Sequence, residues 1–126
     1  MKQLFPLLIV SMLVISCSNQ SSDQTLAFIP GTYVRSEQNE YGQIEDTINI
    51  SIQHQEVNSF IIEQRWQYER ILDGIHQQPE YKMIIDLGFY YPEKKLMKNQ
   101  RTLVTYSFDL EKNVLYFGSL RFQKIK

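Results

Sequence analysis

Apolar and polar residues alternate along much of residues 28–126, and this alternation predicts β-strands. The clearest segment is residues 47–53, in which Ile48, Ile50 and Ile52 are separated by single polar residues. A period of two places the three isoleucines on one face of a strand and the polar residues on the other. The segment is therefore expected to bury one face and to expose the other to water.

Further strands are predicted over residues 31–35, 59–72, 81–91, 102–108 and 114–125, which are separated by polar or glycine-containing turns. The second of these is rich in Glu, Gln and Arg, so a helix is the alternative there. The shared parity of Phe60, Ile62 and Trp66 favours a strand. Gly88 is expected to bend the third segment through a β-bulge.

Gly118 breaks the last segment, and seven or eight strands are expected in all; no amphipathic helix of usual length is predicted after residue 17. The pattern favours an all-β fold, an antiparallel up-and-down meander that closes as a barrel or as a sandwich. Closure would remove the strand edges that otherwise pair with other chains. The interior of an eight-stranded barrel can be filled by side chains or can hold one small ligand.

The first 17 residues differ in character from the rest of the chain. Lys2 precedes an apolar run over residues 4–15, which is shorter than the roughly 20 residues that a membrane-spanning helix needs. A charged start and a small residue before the cleavage point are typical of a secretory signal. Val14, Ser16 and Cys17 resemble the lipobox of bacterial lipoproteins. This resemblance implies cleavage before Cys17, a diacylglycerol on its thiol and acylation of the new amino terminus.

The lipobox divides the chain into three parts. Residues 1–16 are expected to be a lipoprotein signal peptide, residues 17–27 the lipidated Cys17 with a flexible tether, and residues 28–126 a single β domain. The tether is predicted because residues 18–25 are mostly Ser, Asn, Gln and Asp, which offer little to bury. The resemblance further implies a lipid anchor in the cell envelope. Ser18 favours the outer membrane in a cell that has one.

The composition argues against several kinds of site, namely disulfides, nucleic-acid interfaces, metal centres and catalytic sites. Cys17 is the only cysteine, so the β domain is predicted to have no disulfide and no thiol chemistry. A formal net charge of −1 argues against nucleic acid as a partner. His54 and His76 lie in predicted turns, and no cysteine or carboxylate is spaced to complete a metal site with them. Since nucleophile-elbow and phosphate-loop motifs are also missing, no enzyme activity, cofactor or metal is predicted.

Two short motifs at opposite ends of the domain resemble those of lipocalins. Gly31-Thr32-Tyr33 is similar to the Gly-x-Trp sequence of that family, and Arg121 is similar to its closing basic residue. The resemblance implies a lipocalin-like barrel whose first-strand aromatic ring packs across one end beneath the basic side chain, in a cation–π contact. The alternative is that Tyr33 is ordinary core and Arg121 an ordinary surface charge.

Aromatic residues of matching strand parity could line a ligand cavity inside such a barrel. The candidate ligand-binding residues are Tyr33, Gln64, Trp66, Tyr68, Tyr106, Phe108 and Arg121. Gln64 is included because it shares a strand face with Phe60 and Trp66, and a buried amide needs hydrogen-bond partners. The alternative is that the aromatic side chains form a solid core.

Two functions fit this sequence. The preferred hypothesis is a non-enzymatic, lipid-anchored envelope lipoprotein that acts as an interaction or scaffolding module for an envelope protein partner. The alternative is a lipocalin-like binder of a small apolar ligand. In both hypotheses the lipid on Cys17 holds the protein to a membrane.

Overall fold

The computed structural model describes residues 24–126. In this part a short helix, α1 (Gln24–Phe28), is followed by nine strands: β1 (Gly31–Asn39), β2 (Gly42–His54), β3 (Ser59–Leu72), β4 (Ile75–His76), β5 (Glu80–Tyr91), β6 (Leu96–Asn99), β7 (Thr105–Asp109), β8 (Val114–Phe117) and β9 (Leu120–Lys124). One turn of 3₁₀ helix, Gln55–Val57, joins β2 to β3. The predicted signal peptide and Cys17 lie outside the described residues.

Eight of these strands form a closed antiparallel barrel. Each strand of the series β1-β2-β3-β5-β6-β7-β8-β9 pairs with the next, and β9 pairs back onto β1. The two-residue β4 is additional and pairs only with the end of β3. The predicted all-β, up-and-down meander is therefore confirmed, and of the two closures considered the chain adopts the barrel.

Several strand boundaries differ from those predicted. The first strand continues to Asn39 because β1 and β2 form a long regular hairpin through Asn39 and Gly42. The last segment is divided into β8 and β9 by a turn at Gly118, where φ is 58°, as the expected break there predicted. The bulge predicted at Gly88 is absent, since the β3–β5 register runs through it without a shift. A Cβ there would lie 2.7 Å from Ile62 Cδ1, so the glycine provides space for core packing.

Inward-facing side chains fill the closed part of the barrel. Those without exposed surface, or nearly so, are Tyr33, Ile48, Ile62, Met97, Tyr106, Leu115 and Phe122. They come from seven of the eight barrel strands and form one cluster. Burial of such large apolar side chains, at about 1.5–3 kcal/mol each, is the main stabilising contribution to the fold.

One end of the barrel is covered by α1 and the residues after it. Ile29 is fully buried, and Leu26 and Phe28 pack against the core. The expected tether over residues 17–27 is therefore too long, since its last four residues belong to α1 and Thr25 is buried. Leu26, Phe28 and Ile29 give the segment an apolar surface to bury. We call this covered end the closed end.

The opposite end is open because the strands differ in length. The pairing of β9 with β1 goes no further than Val34, and β6 pairs with β5 only from Gly88 onward. Beyond these points β1, β2, β3 and β5 continue as an open sheet. We call this part the sheet extension; it comprises residues 35–39, 42–47, 63–72, β4 and 80–85.

Candidate functional site on the sheet extension

The closed end contains the cation–π contact predicted from the lipocalin resemblance, but with a different basic residue. Tyr33 is fully buried, and the ammonium of Lys124 lies 5.7 Å from the centre of its ring and 4.1 Å from that of Phe28. Lys124 also donates to the Phe28 carbonyl, and burial lowers its pKa. Arg121 is exposed on the outer surface.

Register explains why Lys124 takes this position. Lys124 is the direct cross-strand partner of Tyr33, and directly opposite residues project from the same face of a sheet. Arg121 is three residues away, an odd number, and therefore projects from the other face. The expectation that Arg121 covers Tyr33 is wrong for this reason.

Tyr106 and Phe108 belong to the packed interior. The Tyr106 ring lies 5.1 Å from that of Phe117, and the Phe108 ring lies about as far from Phe28 as from Tyr33, at 6.1 and 6.2 Å. Edge-on and tilted ring pairs at these distances are typical of stable aromatic packing. These contacts give both residues a core role, and ligand binding by them stays a prediction.

Gln64 is buried, as predicted, and its partner is a buried carboxylate. Its Nε2 donates to both Asp46 oxygens, at 3.0 and 3.2 Å, and Arg35 Nη2 lies 3.7 Å from Asp46. Burial raises the pKa of Asp46, and the contacts with Gln64, Arg35 and Trp66 partly offset this effect. Asp46 did not stand out in the sequence, although it shares strand parity with Ile48.

A second polar cluster stabilises the point where β5 leaves β6. Arg101 donates to both Asp86 oxygens, at 2.6 and 2.9 Å, and Asn99 Nδ2 donates to Asp86 at 2.9 Å. The Arg101 guanidinium lowers the pKa of Asp86. Every charged or amide group in the cluster has a partner, so its geometry fits a structural role at the base of the sheet extension.

Trp66 and Tyr68, the remaining predicted ligand residues, lie together on the sheet extension and outside the packed core. With four neighbours they line an open cleft of about 570 Å³, whose full lining is Ile44, Trp66, Tyr68, Glu80, Tyr81 and Lys82. The Lys82 ammonium lies 5.8 Å from the centre of the Trp66 ring, and the Arg70 guanidinium lies 5.9 Å from that of Tyr68. The cleft thus has an aromatic floor with cations beside it.

The outer face of β5 carries a row of exposed apolar side chains. Tyr81, Met83 and Ile85 are 74%, 54% and 61% exposed, respectively. The three side chains share one face of β5 because they are two residues apart, and the strands around them leave that face uncovered. Neighbouring exposed apolar residues of this kind mark surfaces that bind other molecules more often than scattered ones do.

The same segment of β5 is also a free strand edge. Within the described residues, no strand pairs with the side of residues 81–85 that faces away from β3. The carbonyl of Leu87 points to that side, because it accepts a hydrogen bond from Gln100 N at 2.8 Å. Tyr90 N, by contrast, points to the β3 side, where it donates to Asn58 O. Residues two apart on a strand direct their main-chain groups to the same side. The N–H and C=O groups of residues 81, 83 and 85 therefore point to the open edge.

Two further findings concern residues 24–126 only. They contain no group of three or more His, Cys, Asp or Glu side chains placed to hold a metal ion. Histidine 76 instead contacts Glu69, with 2.8 Å between Nδ1 and Oε1. This part of the chain also has no helix of the length and apolar character needed to cross a membrane.

Comparison with known proteins leaves the site to be judged from its own geometry. No protein-family model, curated protein or solved structure matches this chain. The geometry defines a barrel that is filled by side chains toward its closed end. Its sheet extension is open and exposes aromatic side chains and main-chain groups. Such a surface can bind an extended peptide, another sheet edge or a flat apolar molecule.

Proposed function

We propose that this chain is a non-enzymatic, lipid-anchored lipoprotein of the cell envelope that acts as an interaction module through its sheet extension. The observation that carries the proposal is the coincidence, on residues 81–85, of exposed apolar side chains with a free strand edge. Soluble domains usually protect such edges with short strands, charges or a covering loop. An edge that stays unpaired and carries exposed apolar side chains is suited to pairing.

The location rests on the sequence. The lipobox around Cys17 supports a lipid anchor, and Ser18 supports the outer membrane where a cell has one. Two or more acyl chains anchor a protein stably, whereas one holds it only marginally. The membrane is thus the first proposed partner.

The direction of the strands supports presentation of the sheet extension away from the anchor. The chain enters the barrel through α1 at the closed end, and β1 then runs from Gly31 to Asn39 at the tip of the sheet extension. Eight residue steps of about 3.3 Å cover about 26 Å. A partner bound at the tip would therefore contact the face opposite to the entry of the anchored segment.

The alternative function is binding of a small apolar ligand. Side chains fill the interior of the barrel, which does not favour the barrel centre as the ligand site. The cleft at Trp66 and Tyr68 has an aromatic floor, and its volume lies within the range of about 300–1,000 Å³ seen for ligand pockets. Trp66 is the only tryptophan of the chain. An apolar probe that quenches or shifts its fluorescence with saturable affinity would support this alternative, and no response up to the solubility limit would reject it.

Site-specific photocrosslinking in native membranes tests the interaction module. A photoreactive residue at Met83 is expected to give discrete crosslinked products with an envelope protein. The matched control is Leu103, an apolar residue that is 64% exposed and lies outside the sheet extension. Equal products at both positions, or none at Met83, would reject the proposal.

A further inference from the structure

We propose that the free edge of β5 pairs with the same edge of a second copy of this chain, antiparallel and with a two-fold axis at Met83. This inference rests on the proposed function, because it names the partner of the sheet extension. The bound occupant is one β5 strand, and pairing would join two sheet extensions into one continuous sheet across the two-fold axis.

The free main-chain groups limit the contact to residues 81–85. On one side, Pro79 has no N–H to donate. On the other side, the Leu87 carbonyl already accepts from Gln100, and Arg101 is held across Asp86. Residues 81, 83 and 85 each offer one N–H and one C=O, so two copies in register would form about six hydrogen bonds.

Charge and the available groups select one register. With the axis at Met83, Tyr81 lies opposite Ile85 of the second copy, Lys82 lies opposite Ile84, and all free main-chain groups are paired. With the axis at Lys82, two ammonium groups would lie directly opposite each other, which is destabilising. With the axis at Ile84, the pairing would need the Leu87 carbonyl, which is already occupied.

The selected register also brings together the exposed apolar side chains on the outer faces of the two β5 strands. Tyr81, Met83 and Ile85 of one copy would lie beside Ile85, Met83 and Tyr81 of the other, so the two apolar rows would form one stripe. Cross-strand pairs of aromatic and apolar side chains stabilise a sheet. On the other face, Lys82 keeps its contact with Trp66. The sequence of the edge is thus complementary to itself.

The size of the contact predicts a weak dimer. Five residues from each copy are few compared with the 20–30 per side of a standard stable interface. Anchoring both copies to one membrane would raise their local concentration, as tethering does for linked modules. We therefore expect pairing on the membrane and little pairing in dilute solution.

Disulfide crosslinking of the full chain in native membranes tests this register. In an antiparallel hydrogen-bonded pair the two Cα atoms are about 5.5 Å apart, which suits a disulfide. Met83→Cys should therefore oxidise to a dimer about tenfold faster than Leu103→Cys, whose exposed position lies outside the edge. Tyr81→Cys alone should stay monomeric, whereas Tyr81→Cys mixed with Ile85→Cys should form the dimer. The wild-type chain, with Cys17 alone, gives the background.

The outcomes separate this inference from the proposed function. If Met83→Cys dimerises no faster than Leu103→Cys, or if Tyr81→Cys alone matches it, self-pairing in this register is overturned. Photocrosslinks from Met83 to a different protein, without dimer, would overturn self-pairing and leave the interaction module standing. If a cysteine variant fails to accumulate, the otherwise unchanged chain with the photoreactive residue in place of Met83 provides the test. A crosslinked dimer is expected from it, and the absence of that dimer overturns the inference.

Discussion

Replacement of Tyr33 with Phe removes one hydroxyl group from the closed end of the barrel and leaves the aromatic ring in place. That hydroxyl donates to the Ile29 carbonyl at 2.8 Å and lies 3.0 Å from the Phe28 carbonyl. The contact joins β1 to the segment that covers the barrel end. The substitution therefore tests whether this hydrogen bond holds the closed end together.

The expected loss depends on the partners that remain. The Phe28 carbonyl keeps Lys124 as a donor, whereas the Ile29 carbonyl loses the hydroxyl within a fully buried site. A neutral hydrogen bond contributes about 0.5–1.5 kcal/mol, and an unpaired buried acceptor costs about 1–3 kcal/mol. We expect Tyr33→Phe to lower the free energy of unfolding by about 1–2 kcal/mol.

Urea unfolding followed by circular dichroism measures this difference. With a slope of about 1.5–2 kcal/mol per molar urea, the midpoint should fall by about 0.5–1.3 M. Tyr41→Phe is the matched control, because it removes the same atom from a side chain that is 71% exposed. A Tyr33→Phe variant within about 0.3 kcal/mol of wild type, or a control that loses as much, would refute the reasoning.

Burial raises the pKa of Tyr33, so its contribution to stability is complete below the ordinary tyrosine pKa of about 10 and is lost as the pH rises toward the folded-state pKa. Urea midpoints measured above pH 9 should therefore fall more steeply for wild type than for Tyr33→Phe. The Arg101 guanidinium lowers the pKa of Asp86, so the contribution of Asp86 is present above its ordinary pKa and is lost as the pH falls through the lowered one. Asp86→Asn should unfold about 1–2 kcal/mol more easily at pH 7 and should lose less stability than wild type on acidification; equal acid sensitivity would contradict this. Gly88→Ala would place a methyl group 2.7 Å from Ile62 Cδ1, and thermal unfolding should show a loss of about 1–3 kcal/mol; an unchanged Tm would show that the core accommodates the methyl.

Local pattern was sufficient to predict most strands and their all-β class, whereas it left the choice between a barrel and a sandwich open. Residues 59–72 form β3 with both ends where the period-two pattern placed them. Ile48 and Ile50 are buried, as their alternation predicted, whereas Ile52, which was expected on the same buried face, is 51% exposed beside the register shift between Ile52 and His54. These features depend on the side-chain period within one strand, which can be read from a single sequence.

Features that depend on cross-strand register could not be predicted in this way. Lys124 covers Tyr33 because the two are paired across β1 and β9, and no local pattern distinguishes it from Arg121. Asp46 precedes the alternating pattern that begins at Thr47, so that pattern does not indicate its burial. It lies instead inside β2, where Gln64 and Arg35 compensate its burial.

The sheet extension was also beyond local pattern. It exists because β6–β9 are shorter than β1, β2, β3 and β5, and the length of each neighbour decides whether a strand edge is covered. Tyr81, Met83 and Ile85 lie on one face of β5 because they are two residues apart. Their exposure follows from the strands around them and not from their own sequence.

Mass spectrometry of the mature protein from its native cell tests the central proposal, an interaction module held at a membrane by Cys17, most directly. The account predicts that the first residue is Cys17 and that its mass is increased by a diacylglycerol and an amino-terminal acyl chain. A chain that still begins at Met1, or an unmodified Cys17 thiol, would contradict the proposed anchor and with it the proposed location of the sheet extension.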